Sequence, residues 1–274
     1  MRKILLAFDG NHFSEGAFEF ARRLNEINPI LLTGAFLPQV SYANIWSYAD
    51  GIGGPIFLPV QEEEVTEEIN ENIEKFKSLC QKHSIEYSVR KDFADLALSE
   101  LKKESRFADL LIIGSEIFYQ NAGTGDPNSY IKDTLHDVEC AVMIVPEKFD
   151  FPTLNILTYD GSESSVYAIK QFVYLLPEFV ENKTLLIYAK EDEGTSIPNE
   201  AYIEELASRH FSDLTVTKLN IDPKERFVKW LNNKKSAVLI CGAYGRSTFS
   251  QIFKKSFIND VIREHRFPVF ITHN

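Results

Sequence analysis

The stretch VLICGAYGRSTFSQIFKKSFINDVIREHRFPVFITHN, Val238 to Asn274, decides the fold. It opens with an apolar run of strand length and composition, Val238 to Cys241, and closes with another, Pro268 to Thr272. Gly242 and Gly245 stand three apart directly after the first run, followed by Arg246, Ser247 and Thr248, and nine residues separate Gly245 from the pair Lys255 and Ser256. Ser256 reads as a helix N-cap, because Phe257, Ile258, Val261 and Ile262 then fall on one helical face and Asn259 stands three positions on. A strand, two glycines and a helix start bring bare backbone N–H groups, the positive end of a helix dipole and a hydroxyl to one place, which suits an anion. The other reading is an ordinary strand-to-helix loop whose glycines only satisfy turn geometry.

The same grammar occurs earlier in the chain. Ile4 to Phe8 is an apolar β-type run ending at Asp9 and Gly10, and Asn155 to Ser162 repeats it, with its Asp160–Gly161 ending, at an offset of 151 residues. Ala17, Phe20, Ala21 and Leu24 mark the helix after the first copy, and Ala168, Phe172 and Leu175 the helix after the second. ADLLIIGS (Ala108 to Ser115) parallels SAVLICGA (Ser236 to Ala243), Tyr130 to Asp133 parallels Phe257 to Asp260, and Ala141 to Pro146 parallels the terminal run. The chain is a tandem duplication, with units over 1–147 and 153–274 joined by a charged and aromatic linker near Lys148–Thr153, flanked by Pro146 and Pro152.

In the first copy, strands are expected over 3–9, 30–36, 86–92, 109–114 and 141–145, with helices over 14–25, 62–83, 94–105 and 129–138. In the second, strands are expected over 154–159, 183–189, 213–219, 237–241 and 268–272, with helices over 164–176, 198–210, 223–233 and 256–264. Strands alternating with helices imply right-handed crossovers and a doubly wound parallel sheet in each copy, an α/β fold. Ligands of such sheets bind beyond the carboxyl ends of the strands where the strand order reverses, so the ends at Asp160 and Gly242 should face each other.

Across nearly the whole chain, the order of these pieces resembles the universal stress protein family in its tandem two-domain form. Gly242, Gly245 and Ser256 match the G-x-x-G-(nine residues)-G-S/T motif of its ATP-binding members, with Lys255 where the last glycine usually sits. Lysine keeps a charge favourable to phosphate but adds a Cβ and a long side chain where the pattern lets backbone approach. The resemblance implies an adenine nucleotide α-hydrolase-like fold with strand order 3-2-1-4-5. It implies a stress-responsive regulator that binds ATP or a related adenine nucleotide in its second copy, with Mg expected beside the nucleotide and a protein partner of unknown identity. A nucleotide-free tandem scaffold and a slow adenine-nucleotide hydrolase are the alternatives. A cytoplasmic location is expected because Ile4 to Phe8 is too short for a signal-peptide core. It also implies that the last strands of the two copies pair edge to edge as an internal pseudo-dimer, leaving a further homodimer open. Asp160 would sit beside adenine and ribose, the alternative being a turn aspartate bonded to its own backbone. Tyr188 at the end of the second strand would line the base pocket, and Arg246 would clamp phosphate through its planar fork or remain a solvated loop charge.

The first copy departs from this pattern where a ligand would sit. Glu116, Ile117 and Phe118 follow Gly114 and Ser115, Gly123 and Gly125 have a different spacing, and only the cap survives as Ser129 after Asn128, so its site reads as degenerate. An aromatic and glycine-bearing insertion, Pro38 to Pro59, either covers a neighbour or folds over its own copy.

A chain of 274 residues with 44% hydrophobic content can bury one large core or two ordinary ones. The net charge of −11 disfavours nucleic acid as a partner. All of that excess lies in residues 1–147, with 13 Lys and Arg against 24 Asp and Glu, whereas residues 148–274 hold 16 of each, so an anion meets less repulsion in the second copy. No apolar run approaches the roughly 20 residues that span a bilayer, and no membrane role is expected. Cys80, Cys140 and Cys241 form no C-x-x-C and read as reduced, mostly buried thiols. No Walker spacing, H-E-x-x-H or G-x-S-x-G is present, and no catalytic constellation emerges.

Overall fold

In the computed structural model, residues 1–9, 12–37, 62–90, 97–115, 138–191, 194, 196–221, 225–242 and 266–272 are described. The expected helices over 129–138 and 256–264 and the Pro38–Pro59 insertion lie outside the described residues. The first half contributes β1 (Arg2–Asp9), α1 (Glu15–Ile27), β2 (Ile30–Leu37), α2 (Glu62–Lys82), β3 (Glu86–Arg90), α3 (Ala97–Ser105), β4 (Leu110–Gly114) and β5 (Ala141–Val145). The second contributes β6 (Leu154–Thr158), α4 (Glu163–Leu175), β7 (Lys183–Ala189), α5 (Glu200–Ser208), β8 (Leu214–Leu219), α6 (Glu225–Leu231), β9 (Ala237–Gly242) and β10 (Val269–Thr272). A 3₁₀ turn, Pro177–Phe179, follows α4 and has no counterpart in the sequence reading.

The ten described strands join one sheet in the order β3-β2-β1-β4-β5-β10-β9-β6-β7-β8. Each half therefore runs 3-2-1-4-5, and every pairing within a half is parallel. The halves meet through the antiparallel pair β5 and β10, where Val269 lies opposite Ile144 and Ile271 opposite Val142. This closes two edges that would otherwise present unpaired N–H and C=O groups. Every residue of β4, β5 and β10 is buried, as expected of strands covered on both faces.

The cores cross the junction. On one face a single cluster runs from Phe8, Phe20 and Phe76 through to Phe172, Phe179 and Phe270. The linker is part of it: Phe20 lies 5.9 Å from Phe149 and 5.6 Å from Phe151, and Phe151 lies 5.5 Å from Phe179. Gly16 permits the close approach of α1 to the end of β5, because a Cβ there would fall 2.0 Å from the Pro146 carbonyl oxygen. Arg2 Nη1 spans the halves, donating to the Leu175 carbonyl at 2.6 Å and to Glu178 Oε1 at 2.7 Å. Among the described residues no helix is long and apolar enough to cross a membrane. Cys80 and Cys241 are buried, Cys140 is half-buried, all three are free, and burial pushes each thiol up to about 12.

Candidate ligand site at the carboxyl rim

In the second half the strand order reverses between β9 and β6, whose register pairs Leu157 with Ile240. Three residues beyond Leu157 stands Asp160, and two beyond Ile240 stands Gly242, so the two expected site residues share the rim where ligands of such sheets bind. Thr158 Oγ1 donates to the Ile240 carbonyl at 2.8 Å and ties the two strand ends together.

Asp160 is half-exposed, and its Oδ1 accepts the Ser162 N–H at 2.9 Å. That is an aspartate turn, and it places Ser162 to cap α4. Ser162 accepts from the Ser165 N–H at 3.2 Å, Ser165 Oγ donates back to the Ser162 carbonyl at 2.8 Å, and Glu163 adds a carboxylate to the first turn. Gly161 takes φ +84°, and a Cβ there would also lie 2.8 Å from Pro198.

Gly242 has a packing role of its own. A Cβ on it would lie 2.5 Å from the Ser164 carbonyl carbon and oxygen and 2.6 Å from the Ser165 nitrogen, so the glycine lets the first turn of α4 rest on β9. Tyr188 is 2% exposed and belongs to the same core cluster as Tyr159, each standing one residue beyond the Thr158–Ile187 pair that ends the β6–β7 register. Tyr159 is 1% exposed and donates its hydroxyl to the Pro198 carbonyl at 2.8 Å. Burial, then the nearby Asp160 carboxylate, raise its phenol above the ordinary value. Gly245, Arg246, Lys255 and Ser256 lie outside the described residues, as do Ser247 and Thr248. So do Glu116 to Phe118, Gly123, Gly125, Asn128 and Ser129 in the first half.

Sequence reasoning missed the contacts between the two strand-to-helix turns of the second half. Residues 159–162 pack against Pro198 and Asn199, and Asn199 has φ +49° at the start of α5. The signal available was a difference between the copies: Asp9 to the cap Ser14 spans five positions, Asp160 to the cap Ser162 only two.

No protein-family model matches the chain, and no curated protein matches it in sequence. Solved structures do. A universal stress protein from Archaeoglobus fulgidus DSM 4304 superposes with a TM-score of 0.68 at 18% identity, covering 100% of this chain and 96% of that one. A protein described as a universal stress protein from Pseudomonas aeruginosa UCBPP-PA14 superposes with a TM-score of 0.57 at 8% identity, covering 100% and 93%. The chain has the universal stress protein fold, an adenine nucleotide α-hydrolase-like α/β architecture, over its whole length.

Proposed function

We propose that the protein is a stress-responsive regulator that binds ATP or a related adenine nucleotide at the carboxyl rim of its second half. The observation that carries this reading is the placement of Asp160, half-exposed, and Gly242 on neighbouring strand ends where the strand order reverses. A carboxylate there suits ribose hydroxyls. Arg246, Lys255 and Ser256 follow β9 in sequence and supply two cations and a cap hydroxyl for phosphate. Among the described residues no group of three or more His, Cys, Asp or Glu gathers. Mg would accompany the phosphates, whose oxygens are the hard donors it prefers.

Titration calorimetry of ATP into the wild type and into Asp160→Asn tests this. The asparagine retains an oxygen for the Ser162 N–H while losing the charge. Saturable heat in the wild type and about tenfold weaker binding in the variant are expected, that factor being one charged hydrogen bond. A folded wild type that gives no heat at millimolar ATP overturns the reading.

A second reading, a nucleotide-free tandem scaffold, draws on Gly242 and Tyr188. Helix packing accounts for the glycine, and burial in the core accounts for the tyrosine. It predicts that ATP leaves the melting temperature unchanged.

A further inference from the structure

Beside the rim, between α4 and α5, the second half opens a cavity of about 600 Å³ that borders Tyr159, Val166, Tyr167, Lys170, Tyr202 and Ile203. Among the described residues of the first half, aromatic rings occupy the corresponding space. The caps Ser14 and Ser162 align α1 with α4, placing Phe18 at the position of Val166, Glu19 at Tyr167, Arg22 at Lys170 and Glu26 at Tyr174. The buried series Phe76, Cys80 with Leu79 packed beside it matches Ile203, Ala207 with Leu206, which places Lys75 at Tyr202. In the first half Phe13 stacks on Phe8 at 4.6 Å, and Phe18 lies 5.8 Å from Phe13 and 6.2 Å from Phe76. The second half lacks the loop residues that carry Phe13 and has valine for Phe18.

The remaining exchange is close to neutral in volume. A Cβ on Gly34 would touch the Phe76 ring at 3.0 Å, and Leu186 stands at the corresponding strand position in the second half, where Ile203 replaces Phe76 in the same core cluster. The opening therefore comes from the α4 side and amounts to missing aromatic volume.

The charges differ in the same place. Arg22 is held by Glu19, with Nε to Oε2 at 2.6 Å, and by Glu26. At Lys170 both carboxylates are replaced by tyrosines, and Lys170 forms no ion pair among the described residues. The exposed Glu163 stands seven residues earlier on the same helix, about 10 Å away along the axis. One ammonium suits a single negative charge placed at its end of the groove, and the carboxylate at the other end disfavours a triphosphate. A volume of this size falls in the ~300–1,000 Å³ range of small-molecule sites.

We propose that this groove is a second binding site, for a small aromatic carboxylate whose ring lies between Tyr167 and Tyr202 against Val166 and Ile203, with its carboxylate at Lys170. It is independent of the nucleotide reading.

The test uses the full chain with 2-naphthoate and its neutral counterpart 2-naphthamide, followed by calorimetry. The wild type should bind naphthoate saturably and more tightly than the amide. Val166→Phe, which restores the residue of the first half, and Ile203→Phe should each weaken binding at least about tenfold while the protein remains folded by its melting curve. Lys170→Gln, on the solvent side and without a packing role in the core, should weaken naphthoate about tenfold and leave the amide unchanged. Absence of saturable binding by folded wild type at millimolar naphthoate overturns the proposal, as does unchanged affinity in folded Val166→Phe and Ile203→Phe. Equal effects of Lys170→Gln on both probes overturn the placement of the carboxylate. Displacement of naphthoate by ATP overturns the separateness of the two sites.

Discussion

The two halves share one topology and differ in what fills the space under their first two helices. In the first, Phe8, Phe13 and Phe36 form a three-ring stack, with centroids 4.6 and 4.8 Å apart, and Phe76 closes it edge-on at 6.0 and 5.9 Å. In the second, the strand positions of Phe8 and Phe36 are Tyr159 and Tyr188, the third ring is absent, and a groove takes its place. Duplication supplied the strand order twice. What diverged is the set of side chains that no strand hydrogen bond constrains, so one copy became solid hydrocarbon and the other kept polar tips and open volume.

The sharpest way to break this comparison is to empty the solid half. Phe8 is fully buried at the centre of the stack, and Phe8→Ala should cost about 4 kcal/mol, the usual range for removing a buried aromatic from a site that cannot collapse. Chemical denaturation measures it. A loss below about 1 kcal/mol would mean that the first half is no better filled than the second. Next in size is the tie between the halves. The Glu178 side chain is 2% exposed against 18% for that of Arg2, and among the described residues Arg2 Nη2 and Glu178 Oε2 have no partner. Glu178→Ala should therefore cost about 3 kcal/mol by stranding a half-buried guanidinium, whereas the pair Arg2→Met with Glu178→Leu should recover most of it. If the double variant is as unstable as the single one, the ion pair holds the halves together through its geometry and not through its charge balance.

The alternation of strands and helices and its recurrence along the chain were legible in the sequence itself, because they rest on period and repetition: LLIIG and AVLICG announce buried parallel strands wherever they sit, and an Asp-Gly pair ends the first strand of each copy. The strand order and the edge pairing of the two last strands, both present in the sheet, followed only from the family resemblance. Helix ends moved by one or two residues, as at α5, which occupies Glu200–Ser208 where 198–210 was expected, because Asn199 in a left-handed conformation ends the turn before it. The candidate site was less legible. Gly242 reads as a phosphate glycine from its spacing, yet its need for a bare Cα is set by Ser164 on a helix that begins 79 residues earlier, a contact no local pattern carries. The packing of Phe149 and Phe151 into a core shared by both halves was hidden for the same reason: a linker's aromatics look alike whether they face water or Phe20.

The smallest expected effect concerns the mouth of the groove. In the first half Lys75 reaches across from α2 to pair with Glu15 on α1, and its ammonium lies 4.5 Å from the centre of the Phe13 ring, so the two helices are clasped over the aromatic stack. The second half has the acid, Glu163, but Tyr202, 77% exposed, stands where the lysine would be. Tyr202→Lys should recreate the clasp. Both Lys75 and Glu15 are about half-exposed, so the gain is of the order of 0.3–0.5 kcal/mol, the range of exposed pairs, and it should fade in high salt. A double-mutant cycle of Tyr202→Lys with Glu163→Gln isolates the pair from the lost tyrosine contact. A coupling energy of zero at low salt would show that α4 and α5 stand too far apart for the clasp, and that the groove is held open by the helix positions themselves and not by the missing lysine.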